Sequence, residues 1–383
     1  MSRPGRLFLV LTLLLSGCAA DARNIEMLNY ATALGIDYID GQYHGYVQFI
    51  NLQSVAKTTD GKPEGTKTWV GEGIASSFEQ ALFDIYRTAQ ERVFWGHVTA
   101  IVISEEALKR GIDSIYDSIS RYYEFRLTPW VYATRGPVDQ ILTAGGFYDQ
   151  PTLSTILQEP TEAYTQTSWI EPIRLHRLIS SVYEPGNTLC IPSLAVNAKQ
   201  WKAEMKPDPK LMVEGAVFMK QDRYHSYMSL KELAGLRWVR SGTVRAAIPV
   251  PDRTHPEVQV VFDYPKPKLQ LIEEGENPRF RLSMKAKGYV VNWAGGNYTS
   301  LDELTGETKK AIEREIRQLV RKGYARKTDV LNLEYDLFRN HYRFWKSGRW
   351  NEKKLISPEA VDQIDLRLDI VHSGSEKSKL VNK

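Results

Sequence analysis

Arg3 and Arg6 stand before an uncharged run from Leu7 to Ala20, and its leucine-rich part, Leu7 to Leu15, has the length of a signal-peptide core. The run leads into Leu15-Ser16-Gly17-Cys18. A branched apolar residue, two small residues and a cysteine make a lipobox. The small side chains fit a narrow peptidase cleft, and the cysteine thiol takes a diacylglyceryl group. The pattern assigns residues 1–17 to a lipoprotein signal peptide, Cys18 to lipid attachment and 18–25 to a lipid-anchored linker. Two acyl chains hold stably where one is marginal, at about 0.8 kcal/mol per buried methylene. Everything after Cys18 is therefore expected to fold outside the cytoplasm, tied to a membrane at one end. That expectation argues against nucleic acid as a partner.

No stretch reaches the ~18 apolar residues of a spanning helix, so a polytopic membrane protein is excluded. With 42% hydrophobic and 25% charged residues, the 383-residue chain has ordinary globular composition and room for two or three domains. Its 50 basic and 46 acidic residues leave +4, too even for binding driven by net charge. Two cysteines cannot staple a chain this long. With Cys18 lipidated, Cys190 is left as a free thiol inside the apolar run Thr188-Leu189-Cys190-Ile191, where a structural role is expected.

Periodicity divides the exported part into three unequal α+β units joined by two linkers. Each unit is expected to be a mainly antiparallel or mixed sheet packed with helices. The first, 26–198, opens with a hairpin from Tyr30–Ile36 and Tyr43–Leu52, followed by a polar loop over 51–65. Trp69-Val70 closes a strand, and Gly71-Glu72-Gly73 reads as a turn into a helix with a Ser76/Glu79 capping box. Phe78, Ala81, Leu82, Ile85, Ala89 and Val93 recur at helical spacing. Strands follow at Val98–Ile103, Trp130–Thr134 and Leu189–Val196, with helices over Glu105–Tyr123 (broken near Gly111), Pro137–Thr143 and Ile173–Val182.

Lys199–Pro209 reads as the first linker. A small middle unit, 210–248, has strands at Leu211–Met219 and Tyr224–Met228 and a helix opened by a Ser229/Glu232 capping box. Pro249–Pro256 is the second linker. The last unit, 257–372, has three strands, then a helix carrying Leu304, Ile312, Ile316 and Leu319, a helix over Asp329–Trp345, and a strand at Ile364–Val371. A flexible tail, 373–383, is expected beyond it.

Motifs for chemistry are missing. There is no His-Glu-x-x-His, Gly-x-Ser-x-Gly, Walker loop or Cys-x-x-Cys. Ser76 stands where a dinucleotide fingerprint needs its third glycine. His97 and His176 are isolated, and Glu273, Glu274 and Glu276 crowd a hairpin tip that offers a general acid no burial. No catalytic residue, metal or cofactor is expected. Arg339, Arg343, Lys346, Arg349, Lys353 and Lys354 alternate with aromatics, the pattern of a helix with an aromatic inner face and a solvated basic outer one.

The order of short motifs behind the lipobox resembles the Ger(x)C family, the lipoprotein C subunits of spore nutrient germinant receptors. The likeness begins at Leu34-Gly35-Ile36-Asp37 and Gly71-Glu72-Gly73, with Phe78, Ala81 and Leu82. It is densest at Trp95-Gly96-His97 and Ile101–Glu105, then continues through Arg121, Glu124, Arg126, Gly136 and Ile141-Leu142. Gly215, Val217-Phe218, Leu230, Glu232 and Gly235 follow, then Lys327, Asp329-Val330-Leu331, Trp345, Trp350, Ile370 and Gly374. Ala19-Ala20-Asp21 departs from the Trp-Asp that often follows the lipidated cysteine.

The resemblance implies three domains joined by two linkers and no catalytic residues. It implies a lipoprotein on the outer face of the spore inner membrane, assembled with integral A and B subunits and needed for the germination response. Trp95, Gly96 and His97 are candidates for partner contact. A second expectation, a solute-binding lipoprotein that captures a small nutrient itself, requires two similar lobes and a hinge, which the unequal segments do not suggest.

Overall fold

The structure, a computed structural model, describes residues 28–50, 67–121, 124–148, 150, 152–293, 298 and 300–372. The lipobox, the linker 18–25, the loop 51–65 and the tail 373–383 fall outside the described residues. Strands β1 (Leu28–Ile39) and β2 (Gln42–Ile50) form the expected hairpin. Its turn residues Asp40 and Gly41 both have positive φ, 49° and 84°, which suits the twist of a two-residue hairpin. β3 (Thr68–Ala75) extends the pair, and helix α1 (Phe78–Tyr86) lies back on it.

Three details differ from expectation here. Gly71-Glu72-Gly73 is strand, not turn. A Cβ on Gly73 would lie 2.0 Å from the Ala81 carbonyl oxygen, so these glycines let α1 approach the sheet. The cap is Ser77, whose Oγ accepts from Gln80 N at 3.3 Å, while Ser76 Oγ turns to Gln80 Oε1 at 2.8 Å. The helix ends at Tyr86, and Val93 belongs to the short strand β4 (Arg92–Phe94).

β5 (Ala100–Ser104) is buried throughout. Gly111, at φ +98°, separates α2 (Glu105–Lys109) from α3 (Asp113–Ser120), the break expected there. β6 (Trp130–Thr134), α4 (Val138–Thr143), α5 (Thr161–Gln166), β7 (Ile173–Arg174), α6 (Leu175–Val182) and β8 (Thr188–Asn197) follow. The segment expected as the first linker carries a miniature hairpin, β9 (Lys202–Ala203) and β10 (Lys206–Pro207).

β11 (Lys210–Lys220) and β12 (Arg223–Ser229) do not found a separate unit. β11 pairs with β8 from Lys210↔Asn197 to Lys220↔Thr188, giving one sheet in the order β12-β11-β8-β6-β5-β1-β2-β3, with β4 beside β1 and β7 beside β6. The neighbouring strands β1, β5, β6 and β8 are parallel, and the flanks are antiparallel. Helices α1, α2, α3 and α6 cover one face and α4 the other. Burial on both faces is why the central strands read as unbroken apolar runs rather than alternating ones.

The Ser229/Glu232 box forms reciprocally, Ser229 N donating to Glu232 Oε2 at 2.9 Å and Glu232 N to Ser229 Oγ at 3.4 Å. It opens only a 3-10 turn, Ala234–Trp238. β13 (Arg245–Pro251) then pairs with β14 (Pro256–Glu273), so the expected second linker is mostly strand and hairpin turn. β15 (Arg279–Trp293) and β16 (Val361–His372) complete a four-stranded sheet in order β13-β14-β15-β16, the last pair parallel.

One face of this sheet carries α7 (Leu301–Ala325), whose Leu304, Ile312 and Ile316 are fully buried. The expected aromatic helix is broken at His341 into α8 (Leu333–Asn340) and α9 (Tyr342–Ser347), with α10 (Glu352–Leu355) beyond. The fold is therefore mixed α and β, with sheets of ten, four and two strands. A satellite core joins the two large sheets: Ala216, Phe218 and Met228 meet Leu236, Leu319 and Val330.

Candidate functional site

β4 runs parallel to the start of β1, which sets Phe94 beside Tyr30, and the chain then makes a 3-10 turn, Trp95–His97. The three candidate residues divide by role. Trp95 is 5% exposed, and its indole Nε1 donates to the Tyr86 hydroxyl at 3.0 Å, which ties the turn to α1. Gly96 is required by packing, since a Cβ there would lie 2.8 Å from the Phe94 ring. His97 is exposed, with its ring edge-on to Tyr30 at 5.1 Å and tilted against Phe94 at 5.6 Å. An ion pair between Arg92 and Glu124 borders a neighbouring cleft of about 360 Å³ lined also by Tyr86 and Trp95. What this corner presents outward is an aromatic rim and an imidazole.

Elsewhere, His176 and Glu273, singled out in the sequence, are engaged in structure. No group of three or more His, Cys, Asp or Glu side chains converges among the described residues. His176 Nδ1 lies 3.0 Å from the Leu127 carbonyl, and Glu273 at the hairpin tip pairs with Arg279 at 3.4 Å. Cys190 is half-buried on β8, and desolvation pushes its thiol up to about 11, away from the thiolate a nucleophile needs.

The basic and aromatic residues from Arg339 to Lys354 resolve into a packed aromatic cluster with cations at its margin. Phe344 is buried, Trp345 stacks on Tyr342 with centroids 5.8 Å apart, and Trp345 Nε1 donates to Glu334 Oε1 at 3.3 Å. Arg339 pairs with Glu184 at 3.2 Å, linking α8 to the N-terminal sheet's helical layer.

Such a molecule, without a convergent acid–base or metal set among its described residues, is matched by two family models. The "Spore germination protein N-terminal domain" covers residues 21–196, and the "Spore germination B3/ GerAC like, C-terminal" domain covers 214–374. The chain belongs to the Ger(x)C family. Its fold is similar to that in the crystal structure of the GerBC protein, with a TM-score of 0.50 and 19% identity, over 92% of this chain and all of that one. YfkR of Bacillus subtilis (strain 168), named provisionally as a spore germination protein, is 24% identical over 221 residues. That alignment takes in 56% of this chain and 55% of the relative's length.

The seam between the two Ger(x)C domains falls in the β9–β10 hairpin and the start of β11, while the sheet runs through it unbroken. Sequence reasoning missed a buried charge cluster that brings Trp169, before the seam, against the C-terminal domain. Arg237, 2% exposed, donates to Glu315 Oε2 on α7 at 2.7 Å, as does Trp238 Nε1 at 2.7 Å. The Arg237 guanidinium also lies over the Trp169 ring at 4.7 Å, so a residue of the first domain meets residues of the second at one charge. Burial pulls that guanidinium down to about 10 while Glu315 opposes the shift. Arg237 and Glu315 are 78 positions apart, and no local pattern announces such a pair.

Proposed function

We propose that this chain is a lipid-tethered subunit of a spore nutrient germinant receptor. Two family matches behind a lipobox carry the reading, since 21–196 and 214–374 take up nearly all of the chain after Cys18. Cys18 carries the lipid, the folded part lies on the outer face of the spore inner membrane, and assembly with integral A and B subunits produces the nutrient response. The chain's part in that response is binding at an interface, with no cofactor or chemical step. The exposed His97, with the half-buried Tyr30 and Phe94 beside it, is the contact we assign to a partner, with Trp95 and Gly96 shaping it from beneath. No helix among the described residues is long and apolar enough to cross a membrane, which fits attachment by lipid. Two large sheets of ten and four strands give no pair of similar lobes, so direct capture of a nutrient between lobes is not favoured.

The test is Cys18→Ala in spores. The variant should leave the membrane fraction and weaken germination by nutrients, while a non-nutrient trigger acts as before. A soluble variant with a full nutrient response rejects the tether. Deletion of the gene without effect on any nutrient response rejects the receptor assignment.

A further inference from the structure

Where β8 meets the 3-10 turn that follows β12, the surface folds into a cleft of about 490 Å³. That volume lies within the range of about 300–1,000 Å³ typical of small-molecule sites, which often sit where two units meet. Thr188 and Cys190, two residues apart on β8, project from the same face toward Leu236 and Arg240. Two polar atoms here are buried without a hydrogen-bond partner: Thr188 Oγ1, on a residue 2% exposed, and Arg240 Nη2. A buried donor left unpaired is costly, and a guanidinium more so than a hydroxyl.

The surrounding groups are already committed, which fixes the shape of the cleft. Arg174 Nη1 donates to Thr128 O at 2.6 Å, and its guanidinium stacks on Trp130 at 3.7 Å. Asn332 Oδ1 accepts from Thr188 N at 2.6 Å, and Asn187 Nδ2 donates to Ser181 O at 2.9 Å. Arg174, Arg177 and Arg240 line the cleft against a single carboxylate, Glu171, which is held beside Gly242.

We propose that this cleft binds a small organic carboxylate, whose oxygens accept from the Arg240 guanidinium and the Thr188 hydroxyl. Charge-assisted bonds to a guanidinium favour a carboxylate over a neutral isostere. The apolar part of the ligand lies beside Leu236 and Cys190. The site needs neither a lipid anchor nor a partner subunit, so it stands or falls independently of the receptor reading.

The experiment uses the full chain in detergent, followed by thermal melting and titration calorimetry. Acetate, benzoate, L-leucine and succinate are compared with acetamide, benzamide and inorganic phosphate. At least one carboxylate should saturate below about 1 mM, with its amide at least ~10-fold weaker. Thr188→Val keeps the shape and removes a hydroxyl that has no partner in the chain. It should weaken binding about tenfold without lowering the melting temperature of the free protein. Arg240→Gln should abolish binding. The proposal is overturned if no carboxylate saturates by about 10 mM. Amides or phosphate binding equally well overturns it too, as does T188V that binds normally or melts lower when free.

Discussion

Glu315 is a carboxylate on which three side chains converge: Arg237 and Trp238 at 2.7 Å and Arg253 at 3.4 Å. Removing it leaves the Arg237 charge buried and unpaired, a loss of about 3–5 kcal/mol for a broken buried pair. Urea unfolding of Glu315→Ala should show it, whereas Glu313→Ala, whose partner Arg317 is half-buried on the outside of α7, should cost under about 1 kcal/mol. Asp329 gives a prediction in pH. Burial raises its carboxyl above the ordinary 3.8, although Glu334 N donates to Oδ2 at 2.9 Å and favours the charge. As pH climbs from 3.8, the unfolded chain releases this proton first, so this group's contribution to native stability falls. Asp329→Asn removes that dependence. Its stability relative to the parent should rise between about pH 3 and 7, read from urea midpoints at each pH. None of this was visible in the sequence, because burial of a charge is a property of residues brought from far apart.

The hairpin at Asp40-Gly41, the Ser229/Glu232 box and the apolar face of α7 were legible because each is written within a few residues. Gly71-Glu72-Gly73 was misread for a physical reason. Glycine marks both turns and places where another backbone comes close, and only the position of α1 tells which applies here. Gly73→Ala should therefore cost about 1–3 kcal/mol, as overpacking does, and lower the melting temperature. Gly41→Ala meets open space but must hold φ +84°, a smaller cost of about 1 kcal/mol that chevron kinetics can set beside the first. The aromatic segment shows the same limit. Phe338, Tyr342 and Trp345 keep helical spacing, yet the chain bends at His341 so that all three rings meet one another.

Polar, proline-bearing stretches at 199–209 and 249–256 look like domain linkers, and both turn out to lie beside or within paired strands. The composition of a tight hairpin and of a linker is similar. What separates them is a long-range pairing, here β11 against β8, that no local pattern encodes. A fragment ending near residue 200 should consequently be poorly soluble, because β8 would end the sheet as a bare edge. A fragment ending after β12, near 230, should behave better. Expression of both with size-exclusion chromatography decides it, and equal solubility would show that β11 is dispensable to the sheet. The same pairing has a consequence in time. A chain delivered from its N-terminus cannot close this sheet when its first family domain has emerged, for the strand that shields β8 has yet to follow. Roughly two dozen further residues must arrive before β11 is whole. Through that interval the emerging chain carries an open edge that any neighbouring strand can occupy.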